Sequence, residues 1–101
     1  MVKLIALYQN PEDPAEFDRQ YFETHVPLAM KMPGLVRCEV ARVTGAPGGE
    51  PPYHLVAELY FHDMAALNAA MASPEGKAAA KNLMGFAAKV VAMCFAEIRQ
   101  G

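Results

Sequence analysis

Long apolar stretches are absent from this sequence. Although 53% of its 101 residues are hydrophobic, the longest uninterrupted run, Val90 to Ala96, falls far short of the roughly 20 residues that a membrane helix needs. No membrane partner is expected. The N-terminus, Met1-Val2-Lys3-Leu4-Ile5-Ala6-Leu7-Tyr8, lacks the extended apolar core of a signal peptide and runs straight into a turn, so a cytoplasmic location is the expectation. Charge of one sign is equally scarce. Nine Lys and Arg against 11 Asp and Glu leave a net charge of −2 with no basic cluster, which argues against nucleic acid as a partner. Cysteine is limited to Cys38 and Cys94, in no CxxC or other ligand spacing, as suits buried thiols in a reducing compartment. GxGxxG, P-loop and nucleophile-elbow patterns are lacking too, and His25, His54 and His62 stand on separate predicted elements. Neither a metal site nor a nucleotide cofactor is expected.

What is present reads as one domain over residues 1–101, small enough that association with a second copy would help its stability. Val2 to Tyr8 is rich in strand formers and stops at the turn cluster Asn10-Pro11-Glu12-Asp13-Pro14. Asp13 as N-cap, Pro14 at the first helical position and Glu16 three residues after the cap predict a helix, with Phe17, Tyr21, Leu28 and Met32 as its buried stripe and Pro33-Gly34 as its end. Leu35 to Val43 and Tyr53 to Phe61 read as strands joined by a loop rich in Gly and Pro. Asp63 caps a short helix, and Ser73-Pro74-Glu75 starts another that runs to about Ala88. Val90 to Ile98 is the last strand. The order βαββαβ is the split βαβ pattern of a ferredoxin-like α+β fold, a four-stranded antiparallel sheet with two helices on one face.

A sheet covered on one face should alternate apolar and polar residues. These strands do not. Val2, Leu4, Ala6 and Tyr8 line one face of the first strand, but Ile5 and Leu7 line the other; the last strand sets Val91, Met93 and Phe95 against Ala92, Cys94, Ala96 and Ile98. Two apolar faces with helices enough for one predict that a second copy covers the open face, as in a dimeric α+β barrel. In this strand order Cys38 and Cys94 fall on opposite edges, too far apart for a disulfide.

Among groups able to do chemistry, His25 comes first. It sits two residues before Pro27, whose missing N–H leaves the Glu23 carbonyl without its helical partner, and a histidine beside a broken turn can be held in one orientation for proton transfer. The plainer reading is a structural histidine. Glu58 stands inside the apolar strand Leu55-Val56-Ala57-Glu58-Leu59-Tyr60, where a carboxylate is costly unless paired or protonated. It is read either as a catalytic acid or base orienting His25 or the substrate, or as half of an ion pair or a solvated position at the barrel end, with Arg42 or Arg37 of the second strand nearby depending on register. By the two-residue period it shares a face with His54, Val56 and Tyr60. Tyr8, Tyr21 and His54 are the candidate substrate contacts, and the seven methionines are read as core fillers or as an adaptable cavity lining.

The segments Tyr8-Gln9-Asn10-Pro11-Glu12-Asp13-Pro14, Tyr21-Phe22-Glu23-Thr24-His25-Val26-Pro27-Leu28-Ala29, Pro33-Gly34-Leu35, Tyr53 to Phe61 and Met71-Ala72-Ser73-Pro74-Glu75-Gly76 together resemble the EthD family. That resemblance implies a dimeric α+β barrel, a homodimer, similar to muconolactone isomerases, antibiotic-biosynthesis monooxygenases and polyketide cyclases. It further implies catabolic or oxidative small-molecule metabolism, with isomerase, cyclase or cofactor-independent oxidoreductase chemistry on a small hydrophobic ligand. A non-catalytic accessory dimer and a heme-binding barrel with His25 as axial ligand are the alternatives.

Overall fold

Capping chemistry, not apolar periodicity alone, sets where the helices begin. In the computed structural model, which describes residues 1–101, the order is β1 (Val2–Gln9), α1 (Pro14–Gln20), a π-helical turn (Tyr21–His25), α2 (Val26–Ala29), β2 (Arg37–Arg42), β3 (Tyr53–Phe61), α3 (Met64–Ala72), α4 (Pro74–Ala87) and β4 (Val91–Glu97). The Asp13 carboxylate accepts the Glu16 N–H at 3.1 Å to start α1, and Asp63 accepts the Ala66 N–H at 2.8 Å to start α3.

The break expected at Pro27 takes the form of the π-helical turn. Proline has no N–H to give and its ring crowds the preceding turn, so the chain widens and the Val26 N–H reaches back to the Tyr21 carbonyl. The wider turn rotates everything after it. Phe17, Tyr21, His25, Ala29 and Met32 therefore face inward, and Leu28, expected in the buried stripe, is only half-buried. The helix ends at Ala29, earlier than the expected Pro33-Gly34, and the chain turns toward β2 through Gly34, whose φ of +77° suits a residue without a side chain.

Ser73 serves two helices at once. Its hydroxyl donates to the Ala70 carbonyl at the end of α3 and accepts the Gly76 N–H at 3.0 Å at the start of α4. Pro74 fills the first helical position, where no N–H is needed. Gly76 completes the motif, because the chain turns so tightly that a Cβ there would lie 2.1 Å from the Ala70 carbonyl oxygen.

The four strands form one antiparallel sheet in the order β2-β3-β1-β4, the ferredoxin-like arrangement. Val2, Leu4, Ala6 and Tyr8 of β1 and Leu55, Ala57, Leu59 and Phe61 of β3 pack with residues of every helical segment in one core. The other face carries Ile5, Leu7, Ala41, Val56, Ala92 and Cys94, opposite no helix. Between Tyr8 and Gln9 the β1–β3 pairing skips a residue: Tyr8 faces Leu55, Gln9 faces Tyr53, and His54 is the extra residue of a β-bulge. The cysteines are free and lie on the two edge strands; Cys38 is half-buried, but Cys94, expected inside, is exposed on the open face. Of the methionines only Met32 is a buried core residue. Met30, Met64, Met71, Met84 and Met93 are at least one-third exposed, so the core-filler reading fails for most of them.

Candidate active site

Small residues make the room. Ala6 and Ala57 are cross-strand partners at the centre of the two middle strands, and Ala79 and Ala80 of α4 lie across from them. A cavity of about 90 Å³ remains between helices and sheet, a space on the order of what holds a few waters or a single ring. Fifteen of its 17 lining residues are hydrophobic, with Gly76 and His25 as the exceptions. The Ala-rich composition of α4 and the paired alanines are the sequence signals for this space.

His25 is buried, with 7% of its surface exposed. The π-helical turn points it inward, and its Nδ1 lies 3.2 Å from Oδ1 of Asn82 on α4. Tyr21 and Phe86 flank the ring at centroid distances of 5.4 and 6.2 Å. Burial holds the imidazole below its ordinary pKa, the Asn82 hydrogen bond opposing in part. The neutral ring is thus the resting form near pH 7. Tyr8 and Tyr21 join it on the wall, their rings 5.0 Å apart and edge to face. Burial pushes the Tyr8 phenol up to about 12, the Tyr21 hydroxyl opposing, and burial and then Tyr8 raise Tyr21 as well. Both remain proton donors near neutrality. Cys38 also borders the cavity, its thiol raised by burial.

Because His25 binds a proton more readily unfolded than folded, acidification favours the unfolded chain. Its contribution is complete above the ordinary histidine pKa, about 6.5, and is lost as the pH falls through the lower folded value. Melting temperatures measured from pH 7.5 down to 5 are expected to drop more steeply for the wild type than for His25→Gln. Parallel profiles would contradict the burial of a neutral ring.

Glu58 is not part of this site. It projects from the opposite face of the sheet, where Oε1 pairs with Lys3 Nζ at 2.7 Å. Register decides this: Glu39 stands directly opposite Glu58, while Arg37 stands opposite Tyr60 and stacks over its ring at 4.4 Å. Neither expected arginine is the partner. His54 is separated from the cavity as well. The bulge takes it out of the alternation it was expected to share with Glu58, so its ring sits edge-on to Phe17 and its Nε2 lies 2.7 Å from Asp18 Oδ1. The structure thus gathers His25, Tyr8 and Tyr21 and leaves Glu58 and His54 elsewhere. Asn82 is the hydrogen-bonding neighbour of His25 that sequence reasoning missed, being 57 positions away on a helix read only for its alanines.

The family model of the EthD domain matches residues 9–89 of this chain. An uncharacterised 11.0 kDa protein encoded in the thcB–thcC intergenic region of Rhodococcus erythropolis is 36% identical over 97 residues, 96% of this chain and 94% of that protein. The crystal structure of an ethyl tert-butyl ether D (EthD) family protein from Bacillus halodurans C-125 superposes with a TM-score of 0.94 at 47% identity, covering 97% of this chain and 98% of the other. SnoaB, a cofactor-independent oxygenase from Streptomyces nogalater, shares the fold with a TM-score of 0.72 at 21% identity, covering 99% of this chain and 94% of its own.

Proposed function

The chain belongs to the EthD domain family, and from that premise we propose that it is a homodimeric enzyme acting on a small, uncharged, apolar compound held between helices and sheet, with His25 as general base and acid. One observation carries the reading: a buried imidazole, neutral near pH 7, is the sole strongly polar side chain on the wall of an otherwise apolar cavity. A base of that kind removes a proton from a carbon or phenolic oxygen and returns it elsewhere, which serves isomerisation, cyclisation or cofactor-independent oxidation. Tyr8 and Tyr21, still protonated, are placed to donate to oxygen charge that develops on the substrate. SnoaB shows that this fold supports cofactor-independent oxygenation in at least one distant protein.

The dimer is supported by what the single chain leaves bare. Ile5, Leu7 and Val56 form a partly exposed apolar strip on the open sheet face, and Met93 and Phe95 of the β4 edge are 45% and 51% exposed. A second copy packed sheet to sheet covers the open face.

A second reading is binding without turnover, favoured by the absence of any carboxylate or cation on the cavity wall to assist His25. Deuterium exchange at the α-carbons of cyclohexanone separates the two. The enzyme reading expects the wild type to accelerate exchange and His25→Gln to lose about 100-fold or more of that acceleration. Exchange at the buffer rate, with cyclohexanone bound, would support the accessory role and defeat the catalytic one.

A further inference from the structure

Resting on the reading of the cavity as the ligand site, we infer that Asn82 is a positioning residue that fixes the tautomer of His25, and that the ligand is consequently a hydrogen-bond donor, a phenol, enol or carbon acid. The contact that carries this is Asn82 Oδ1 to His25 Nδ1 at 3.2 Å, across 57 residues of sequence. An amide oxygen only accepts, so Nδ1 holds the ring proton and Nε2 keeps its lone pair. The Asn82 contact is the one hydrogen bond made to the ring by another protein group.

The lining agrees with this orientation. Were the amide turned round, its NH₂ would donate to Nδ1 and the proton would move to Nε2–H. On the cavity wall only the Tyr8 and Tyr21 hydroxyl oxygens could accept that donor, and these two hydroxyls already interact with each other; unpaired N–H groups are rarer in proteins than under-used acceptors. A lone pair at Nε2 is tolerated without a ligand and is completed by one that donates. Chemistry follows from the same assignment. A neutral imidazole with its lone pair toward the cavity takes a proton from the ligand, and the resulting imidazolium holds both N–H groups, one on Asn82 and one toward the substrate for the return step. The proton leaves the ligand's O–H or C–H bond, whose electron pair stays on the ligand, and no oxidant is needed. Anionic ligands are disfavoured as well, because no Lys or Arg lines the cavity.

The role differs from ordinary packing in what it moves. Asn82→Leu keeps the size of the side chain and removes the acceptor; Asn82→Asp keeps an acceptor at the same place. Nitrogen-15 chemical shifts of His25 in the uniformly labelled protein near neutral pH report the tautomer directly. The expected result is Nδ1–H in the wild type and in Asn82→Asp, and a mixture in Asn82→Leu, whose His25 also titrates at lower pH because the Asn82 hydrogen bond favours the charged ring. An Nε2–H tautomer in the wild type, or one unaltered by Asn82→Leu, overturns the assignment whether or not any ligand binds. Binding of p-cresol against its methyl ether, 4-methylanisole, tests the ligand class. The donor is expected to bind at least about tenfold more tightly, whereas equal affinities overturn that part. Failure of both compounds to bind, with the tautomer as expected, would instead count against the cavity as the ligand site.

Discussion

Replacing Gly76 by alanine is expected to be the most destabilising of the conservative changes available to this chain. The added methyl would lie 2.1 Å from the Ala70 carbonyl oxygen and 2.9 Å from the Met71 Cα and carbonyl oxygen, all backbone atoms at the end of α3. No side chain can swing aside to relieve the contact. Separation of α3 from α4 is opposed by Ser73, which caps both helices within three residues of the glycine. Overpacking commonly costs about 1–3 kcal/mol, and an overlap with fixed backbone belongs at or above the top of that range. Against a total stability of about 5–15 kcal/mol, that is a large share. Urea unfolding should show a midpoint far below the wild type with little change in slope. A midpoint within error of the wild type would mean that the junction is not held as tightly as described.

Leu7→Glu is expected to have the other large effect, on assembly instead of folding. Leu7 lies on the open sheet face between Val56 and Ala92, its cross-strand neighbours, and away from the helices. In a lone chain the new carboxylate reaches water, so circular dichroism should be little altered. In a sheet-to-sheet dimer each copy buries an unpaired charge, at about 3–5 kcal/mol apiece. Sedimentation at micromolar concentration should then find a dimer for the wild type and a folded monomer for the variant. A variant that stays dimeric would move the interface off this face.

The parts of the fold legible in the sequence were those decided within four residues. Asp13-Pro14, Asp63 and Ser73-Pro74 each announce a helix because a cap acts on the N–H three positions on, and the structure places helices after all three. The failures share a different cause. Leu28 departs from the buried stripe because a π-helical turn advances the helix face, and nothing in apolar spacing alone says whether Pro27 kinks a helix or widens it. Strict alternation puts His54 on the face of Glu58 because it ignores a bulge, which is a property of two paired strands. Sequence alone does not reveal Lys3 as the partner of Glu58, because that pairing depends on the register between β1 and β3. Asn82 was invisible for the same reason, a contact between helices that only the packed core brings together. His25 itself was legible through its neighbour Pro27, as a candidate whose burial and cavity the structure then supplied.

The account rests most heavily on that cavity being where a small apolar molecule binds, and heteronuclear NMR during a p-cresol titration tests it directly. The predicted result is saturable shifts of the His25 and Tyr21 ring signals, together with contacts from the p-cresol ring to the Ala6 and Ala57 methyl groups. Shifts confined to His54 or His62, with His25 unmoved at saturation, would contradict it.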